Sequence, residues 1–300
     1  MYLGLATLWA LAVPLFVPAD EKEHVDYAYQ VGHGHLPLAG GPLHAQFPAL
    51  GQRSGTQYVA YHPPLYYLLV SPLVRLGSGS THPRLWLLAV RGFGILLAAA
   101  SVVLVAVLAR RVFAHWDAVR RTQLAVLAAG LVAVVPSMIG ATASIMNDPL
   151  ELILVVVAAV CLAGIVRSGV SLRRVVVIAV VCGLGMLSRV TYVQALVSVI
   201  VALTLSLILL PAAGRDPLPR GHRLRQAAGY LAIVAATPAL MAGWFYLLNK
   251  DRYGSFTGSN VAYQLVAGRQ LQPRMSGPFR FAFDPHSWWA QLLQLGGAGA

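Results

Sequence analysis

The sequence has 300 residues, with 22 Lys and Arg against 10 Asp and Glu, so its formal net charge at pH 7 is +12. Only 11% of the residues are charged, against about 25% in an ordinary soluble domain. Hydrophobic residues make up 58% and the mean hydropathy is +0.68. This composition excludes a soluble globular domain. It also excludes a nucleic-acid-binding protein, because the basic residues lie in short loops between apolar blocks rather than on one soluble basic face.

The apolar blocks predict an all-α fold, a polytopic bundle of about seven transmembrane helices, because several approach the ~20 residues that span a membrane. They cover 2–18, 88–109, 123–146, 149–166, 175–210 (which must cross twice, turning near 188–191) and 229–248. Basic loops occupy 110–121, 167–174 and 215–226. The positive-inside rule assigns these loops to the cytoplasm. We therefore predict a multi-pass protein of the plasma membrane with its N-terminus inside.

Because each span carries the chain to the other side of the membrane, residues 19–87 are predicted to form a long first outer loop. Residues 249–300 are also predicted to lie outside, as the start of a longer C-terminal region. Within the outer loop, HPPLYYLLVSPLVRL (62–76) is too short to span comfortably. We predict that it forms an interfacial helix on the outer surface, with Tyr66 and Tyr67 at the level of the lipid headgroups.

The first outer loop opens on acidic residues at the end of the first span. Asp20 followed by Glu23 fits a helix N-cap with its acidic partner three residues later, so a helix is predicted to begin here. On that helix His24 lies on the same face as Asp20. Carboxylates held against the membrane can orient a hydroxyl group or bind a cation. A solvated flank that merely ends the span is the alternative interpretation of Asp20 and Glu21.

Two arginines are predicted near the outer ends of spans. Arg91 and Arg189 could each offer a cation to a lipid phosphate, or could simply extend to the interface. Asp148 lies in the outer turn Asn147-Asp148-Pro149, for which a turn alone is a sufficient reason. Five histidines occur between residues 24 and 62, but no paired ligand spacing among them defines a zinc site.

Several of these motifs, taken in their order, resemble the GT-C superfamily of membrane glycosyltransferases. That superfamily includes the protein O-mannosyltransferases and the bacterial lipid A aminoarabinose transferases. The resemblance covers most of the chain, and the motifs are Pro18-x-Asp20-Glu21-x-x-His24, HPPLYY (62–67), AVR (89–91), SIMNDP (144–149), LSRVT (187–191) and GWFYLLNKDRYGSFTG (243–258).

The resemblance implies transfer of a sugar from a polyprenyl-phosphate donor to a glycan, lipid or protein acceptor at the outer face. It implies that Asp20 activates or positions the acceptor hydroxyl and that Glu21 supports it. His24 and His62 would then line the site, with Arg91 near the lipid phosphate.

Asp148 would be a second outer acidic residue and Arg189 a further substrate-binding cation. A divalent metal is possible, with no defined ligand set. The aminoarabinose-transferase branch usually has lysine where this sequence has His62, so that sugar is not implied. A lipid or small-molecule transporter and a non-catalytic membrane scaffold remain as alternatives. Transporter sites usually lie near the membrane midplane in repeated halves, whereas here the charged residues are predicted at one face and no repeat is visible.

Overall fold

The structure is a computed structural model that describes residues 1–18, 20–52, 54–209 and 220–267. These residues form eleven α-helices and no β-strand. The chain divides into two compact units, Met1–Ala262 and Tyr263–Ala300. Of the second unit, the structure describes only residues 263–267, the end of the last helix.

The helices are α1 (Tyr2–Ala12), α2 (Glu21–Gly32), α3 (Leu65–Ser78), α4 (Pro83–Val112), α5 (Ala118–Ala133), α6 (Pro136–Thr142), α7 (Asp148–Ser168), α8 (Leu172–Ser188), α9 (Val193–Leu209), α10 (Arg220–Tyr253) and α11 (Ser259–Ala267). Short 3₁₀ turns lie at Pro48–Leu50 and Val190–Tyr192. The prediction of an all-α fold is thus confirmed for the described residues.

Four helical segments in the described part of the chain are long and apolar enough to cross a membrane. They are Pro83–Val112, Asp148–Ser168, Val190–Ile208 and Leu224–Tyr253. The pair α5 and α6, bent by 65°, would make a fifth if the two helices form one broken span. The bend precedes Pro136, whose ring and missing N–H prevent continuation of the preceding helix. The chain is therefore a multi-pass helical membrane protein.

Two of the predicted spans are not among these candidate segments, because each forms only a helix shorter than the ~20 residues that cross a hydrocarbon core. The segment predicted at 2–18 is helical over Tyr2–Ala12 only, 11 residues. The first half of the predicted hairpin 175–210 forms α8, which has 17 residues. The break between α8 and α9 falls at Arg189, within the turn predicted from the sequence.

Helix ends collect at two opposite faces of the bundle. On one face the first loop meets the start of α7 and the ends of α8 and α10. There the Asn147 amide donates to the carbonyl oxygen of Ser188, 3.0 Å away, and the Asn249 amide donates to that of Tyr61, also 3.0 Å away. We call this the loop face. At the opposite end Arg111 of α4 donates to the Val160 carbonyl of α7. The end of α4, the end of α7 and the start of α8 thus lie at the face opposite the loop face, in agreement with the path predicted from the basic loops.

The first loop is folded against the bundle rather than spread over its surface. Helix α3 packs on α2 and α4. Tyr66 and Tyr67 are fully buried in a core shared with Val25 and Leu87. These two tyrosines do not form the lipid-facing side of α3, because their rings pack between α3, α2 and α4. The exposed apolar side of α3 is formed by Leu68, Leu69 and Leu76 instead.

Part of two predicted segments lies outside the described residues. The predicted basic loop 215–226 is described only from residue 220, and the predicted outer segment 249–300 only as far as residue 267.

Candidate functional site

Asp20 stands at the start of α2 but does not cap it. Asp20 occupies the N-cap position, but its backbone is in the left-handed helical region with φ 65°, and its side chain makes no capping hydrogen bond. The predicted capping box with Glu23 is therefore absent. The Asp20 carboxylate instead accepts a hydrogen bond from the Tyr58 hydroxyl. A positive φ on a residue other than glycine is uncommon and often marks a functional site, and here it holds a half-buried carboxylate on the loop face.

Glu21 is fully engaged in a buried ion pair with Arg91. Both side chains have no exposed surface, and Arg91 Nη2 lies 2.7 Å from Glu21 Oε2. The Glu21 carboxylate also accepts hydrogen bonds from the backbone N–H groups of Phe16 and Ile145. Because these contacts use its lone pairs, Glu21 is not free to take a proton from a substrate. Its expected support of catalysis is corrected to a structural role.

Arg91 is likewise committed to the protein. Its Nε and Nη2 donate to Glu21, Nη1 donates to the carbonyls of Ala10 and Val13, and Nη2 also donates to that of Pro14. All five guanidinium N–H groups are thus occupied. The prediction that Arg91 contacts a lipid phosphate is wrong in this structure, because the guanidinium is buried and has no free donor. The pair joins α1, α2 and α4 instead.

His24 and His62 form one aromatic wall with Tyr67. The His24 ring stacks on that of Tyr67 with centroids 5.7 Å apart, and on that of His62 at 6.1 Å. His24 Nδ1 and the Tyr67 hydroxyl share a 2.8 Å hydrogen bond. Burial lowers the pKa of His24 to about 4 and also lowers that of His62. Both imidazoles are therefore neutral at pH 7, able to hydrogen-bond a substrate but not to supply a positive charge.

Asp148 and Arg189 meet at the mouth of the bundle. Arg189, between α8 and α9, forms an ion pair with Asp148, the first residue of α7. Its Nε lies 3.5 Å from Glu151 Oε2, and Glu151 in turn accepts a 2.6 Å hydrogen bond from the Thr191 hydroxyl. The Arg189 side chain keeps 24% of its surface exposed and that of Asp148 keeps 33%. Unlike Arg91, Arg189 is accessible to a ligand.

Asp20, Asp148 and Arg189 all lie near enough to Tyr61 and His24 to affect the pKa of both side chains. Burial raises the pKa of Tyr61, Arg189 opposes that shift, and Asp20 and Asp148 add to it. His24 is within the field of the same three charges. The structure therefore brings Asp20, His24, His62, Asp148 and Arg189 together, while Glu21 and Arg91 lie in the support beneath them.

Several buried polar atoms of the loop face have no hydrogen-bond partner within the described residues. They are Glu23 Oε2, His62 Nδ1, Tyr66 Oη, Asn147 Oδ1 and Arg189 Nε. For Arg189 Nε, the 3.5 Å approach of Glu151 is an ion-pair distance without hydrogen-bond geometry. Unsatisfied buried groups are costly and rare in proteins. A polar ligand or bound water would satisfy them.

Sequence reasoning missed the residue that shapes the first loop. Asp26 is fully buried, and its Oδ1 accepts hydrogen bonds from the backbone N–H groups of His44 and Ala45 at 2.5 and 2.8 Å. Its Oδ2 accepts from the amides of Gln30 and Gln57, each at 2.8 Å. The spacing of Asp26 and Gln30, one helical turn apart on α2, was the signal available in the sequence.

No group of three or more His, Cys, Asp or Glu side chains in the described part of the chain is arranged to hold a metal ion. Comparison with protein-family models, with curated proteins and with solved structures finds no match for this chain.

Proposed function

We propose that this protein is a membrane glycosyltransferase that moves a sugar from a polyprenyl-phosphate donor to an acceptor hydroxyl on the loop face, which we take to be extracytoplasmic. One observation carries the proposal: a half-buried carboxylate, Asp20, and an accessible cation, Arg189, lie near the same buried side chains, His24 and Tyr61, at one end of a membrane bundle. The resemblance to the GT-C superfamily, on the motifs that supply Asp20, His62, Asp148 and Arg189, points to the same chemistry.

The two charged groups suit the two ends of the reaction. The Asp20 carboxylate takes the proton of the acceptor hydroxyl while the hydroxyl oxygen bonds to the anomeric carbon of the sugar. The bond from that carbon to the phosphate oxygen breaks, and its electron pair leaves with the polyprenyl phosphate. Arg189 stabilises the negative charge that develops on the phosphate. The products are a glycosylated acceptor, a polyprenyl phosphate and a protonated Asp20, which loses its proton to solvent.

Residues around the two charged groups have positioning roles in this scheme. Tyr58 donates its hydroxyl hydrogen to the Asp20 carboxylate and fixes its orientation. Asp148 and Glu151 hold the Arg189 guanidinium, and Arg189 Nη2 makes no hydrogen bond within the described residues, so it is free to meet the phosphate. The neutral His24 and His62 rings form a wall that can hydrogen-bond the sugar without attracting a second anion.

A deletion strain complemented with variants tests the assignment. Mass spectrometry of cell-envelope glycans should show a sugar modification restored by the wild type and lost with Asp20→Asn. Asp251→Asn, which makes the same change at an exposed site near the end of α10, should restore it. Membrane levels of each variant must be equal. Full modification with Asp20→Asn would refute the proposed base, and an unchanged glycan profile in the deletion strain would favour the transporter or the scaffold.

A further inference from the structure

The end of the bundle opposite the loop face contains a cleft lined by arginines, which we call the arginine cleft. Its walls are Arg111 at the end of α4, Gly164, Arg167 and Ser168 in the last turns of α7, and Arg174 in the first turn of α8. Its volume is about 440 Å³. A second hollow of about 320 Å³ shares Arg111, Gly164 and Arg174 with it and adds Arg173.

The positive charges in the arginine cleft have no acidic partner within the described residues. The two hollows are lined by four arginines and by no Asp or Glu. None of these arginines takes part in an ion pair in that part of the chain. Guanidinium groups that lie close together repel one another, and an anion between them would relieve this repulsion. The cleft is therefore electrostatically suited to a phosphate group.

Two of the arginines are held in place by backbone carbonyl groups. Arg111 Nη1 donates to the Val160 carbonyl at 2.9 Å. Arg174 Nη1 donates to the carbonyls of Ser168 and Gly169 at 2.7 and 2.6 Å. Their remaining N–H groups form no hydrogen bond within the described residues. A guanidinium fixed on one side and free on the other is prepared to bind phosphate oxygens in pairs.

The wall of the second hollow continues onto an apolar surface. Cys161 and Val177 line it, and along α8 Val176, Val177 and Val180 are 42%, 45% and 39% exposed. A free phosphate ion would gain nothing from this apolar surface, whereas the acyl chains of a lipid would cover it. The cleft thus combines a site for an anionic head with a path for a hydrocarbon tail.

From this combination we propose that the arginine cleft binds an anionic phospholipid of the leaflet on that side, with its phosphate between Arg111, Arg167 and Arg174 and its acyl chains along α8. Basic pockets between transmembrane helices commonly hold such head groups. The proposal is independent of the proposed glycosyltransferase activity, because the site lies at the opposite end of the bundle from Asp20.

The test uses the full chain purified in a neutral detergent. Thermal unfolding is followed during titration with phosphatidylglycerol, with phosphatidylcholine, or with inorganic phosphate. Phosphatidylglycerol should raise the unfolding temperature, whereas the other two should not. The double variant Arg167→Gln/Arg174→Gln should bind phosphatidylglycerol about 30-fold more weakly, since each basic side chain near an anionic head group contributes roughly a fivefold factor in affinity.

A matched control removes the same charge from the same end of the bundle. Arg120 and Arg121 lie in the first turn of α5 outside the cleft, and Arg120 is 72% exposed. Arg120→Gln/Arg121→Gln should bind phosphatidylglycerol like the wild type. An equal loss in both double variants would show diffuse surface attraction and overturn the proposal. Stabilisation by inorganic phosphate equal to that by the lipid would also overturn it.

A second variant protects the test against misfolding of the arginine variants. Gly164→Leu keeps every charge but fills the arginine cleft, since a Cβ at this position would already lie 3.4 Å from Arg111 Nη1. Helix formation tolerates leucine better than glycine. This variant should fold and should lose the stabilisation by phosphatidylglycerol. Retention of that stabilisation would place the lipid elsewhere and overturn the proposal.

Discussion

Replacement of Arg91 by methionine should destabilise the protein strongly, although neither residue of the Arg91–Glu21 pair touches the proposed substrate. The substitution keeps an unbranched side chain but removes five hydrogen bonds that join α4 to Glu21 and to the end of α1. It leaves the Glu21 carboxylate buried with only the N–H groups of Phe16 and Ile145 as donors.

The magnitude follows from the complete burial of both partners. Removal of one member of a buried ion pair typically costs about 3–5 kcal/mol. For a chain of this size each kcal/mol corresponds to about 2–4 °C, so the unfolding temperature of Arg91→Met should fall by about 6–20 °C. The double variant Glu21→Gln/Arg91→Met carries no buried charge. It should therefore be more stable than the sum of the two single changes implies, by about 1–3 kcal/mol.

The assay is thermal unfolding of the purified variants in one detergent, followed by loss of the monodisperse peak on gel filtration. Arg84→Met makes the same substitution at an exposed position in the first turn of α4 and should melt with the wild type. An Arg91→Met protein that melts within 2 °C of Arg84→Met, where roughly 6 °C or more is expected, would refute the argument that this ion pair supports the loop face.

Three further changes test other parts of the structure. Gly94→Ala should destabilise the protein by about 1–3 kcal/mol, because its Cβ would lie 2.7 Å from a backbone oxygen of α6; Gly92→Ala, with open space around it, should be neutral or stabilising in the same melting assay. Asp26→Asn should lower the free energy of unfolding of the first loop by about 2 kcal/mol or more, because the new amide N–H group would face buried donors. Limited proteolysis should then cleave faster within residues 34–52. Cleavage at the wild-type rate would contradict this. Lowering the pH should destabilise the wild type, because the folded pKa of His24 is about 4 against 6.5 in the unfolded chain. The stabilising contribution of His24 is therefore complete above pH 6.5 and is lost as the pH falls toward 4, and the loss has reached about 2 kcal/mol at pH 5. The pKa of His62 is shifted in the same direction, so His62 adds to this loss of stability. The unfolding temperature of a His24→Asn/His62→Asn double variant should change little between pH 7.5 and 5. An equally constant unfolding temperature in the wild type would count against this account.

The sequence identified charged residues that the structure brings onto the loop face, but it did not identify their contacts. Asp20, Asp148 and Arg189 could be identified because the sequence alone shows a charged residue at the end of an apolar segment. Glu21 and Arg91 were selected by the same rule, but their contact joins positions 70 residues apart. Which of two adjacent carboxylates is free and which is consumed by an ion pair depends on that contact. The role of Asp26 was invisible for the same reason.

Composition and the order of apolar and basic segments determine, from the sequence alone, that this is an all-helical membrane protein whose charged residues lie near the ends of its helices. These are local properties, since hydrocarbon thickness sets segment length and charge sets which loops are basic. Tertiary structure alone decided how the first loop folds. It buried Tyr66 and Tyr67, joined Glu21 and Arg91 in a buried ion pair, and brought Asp20 onto the same face as the Asp148–Arg189 ion pair. Those outcomes depend on packing between distant segments, and side-chain periodicity along the chain carries no information about such contacts.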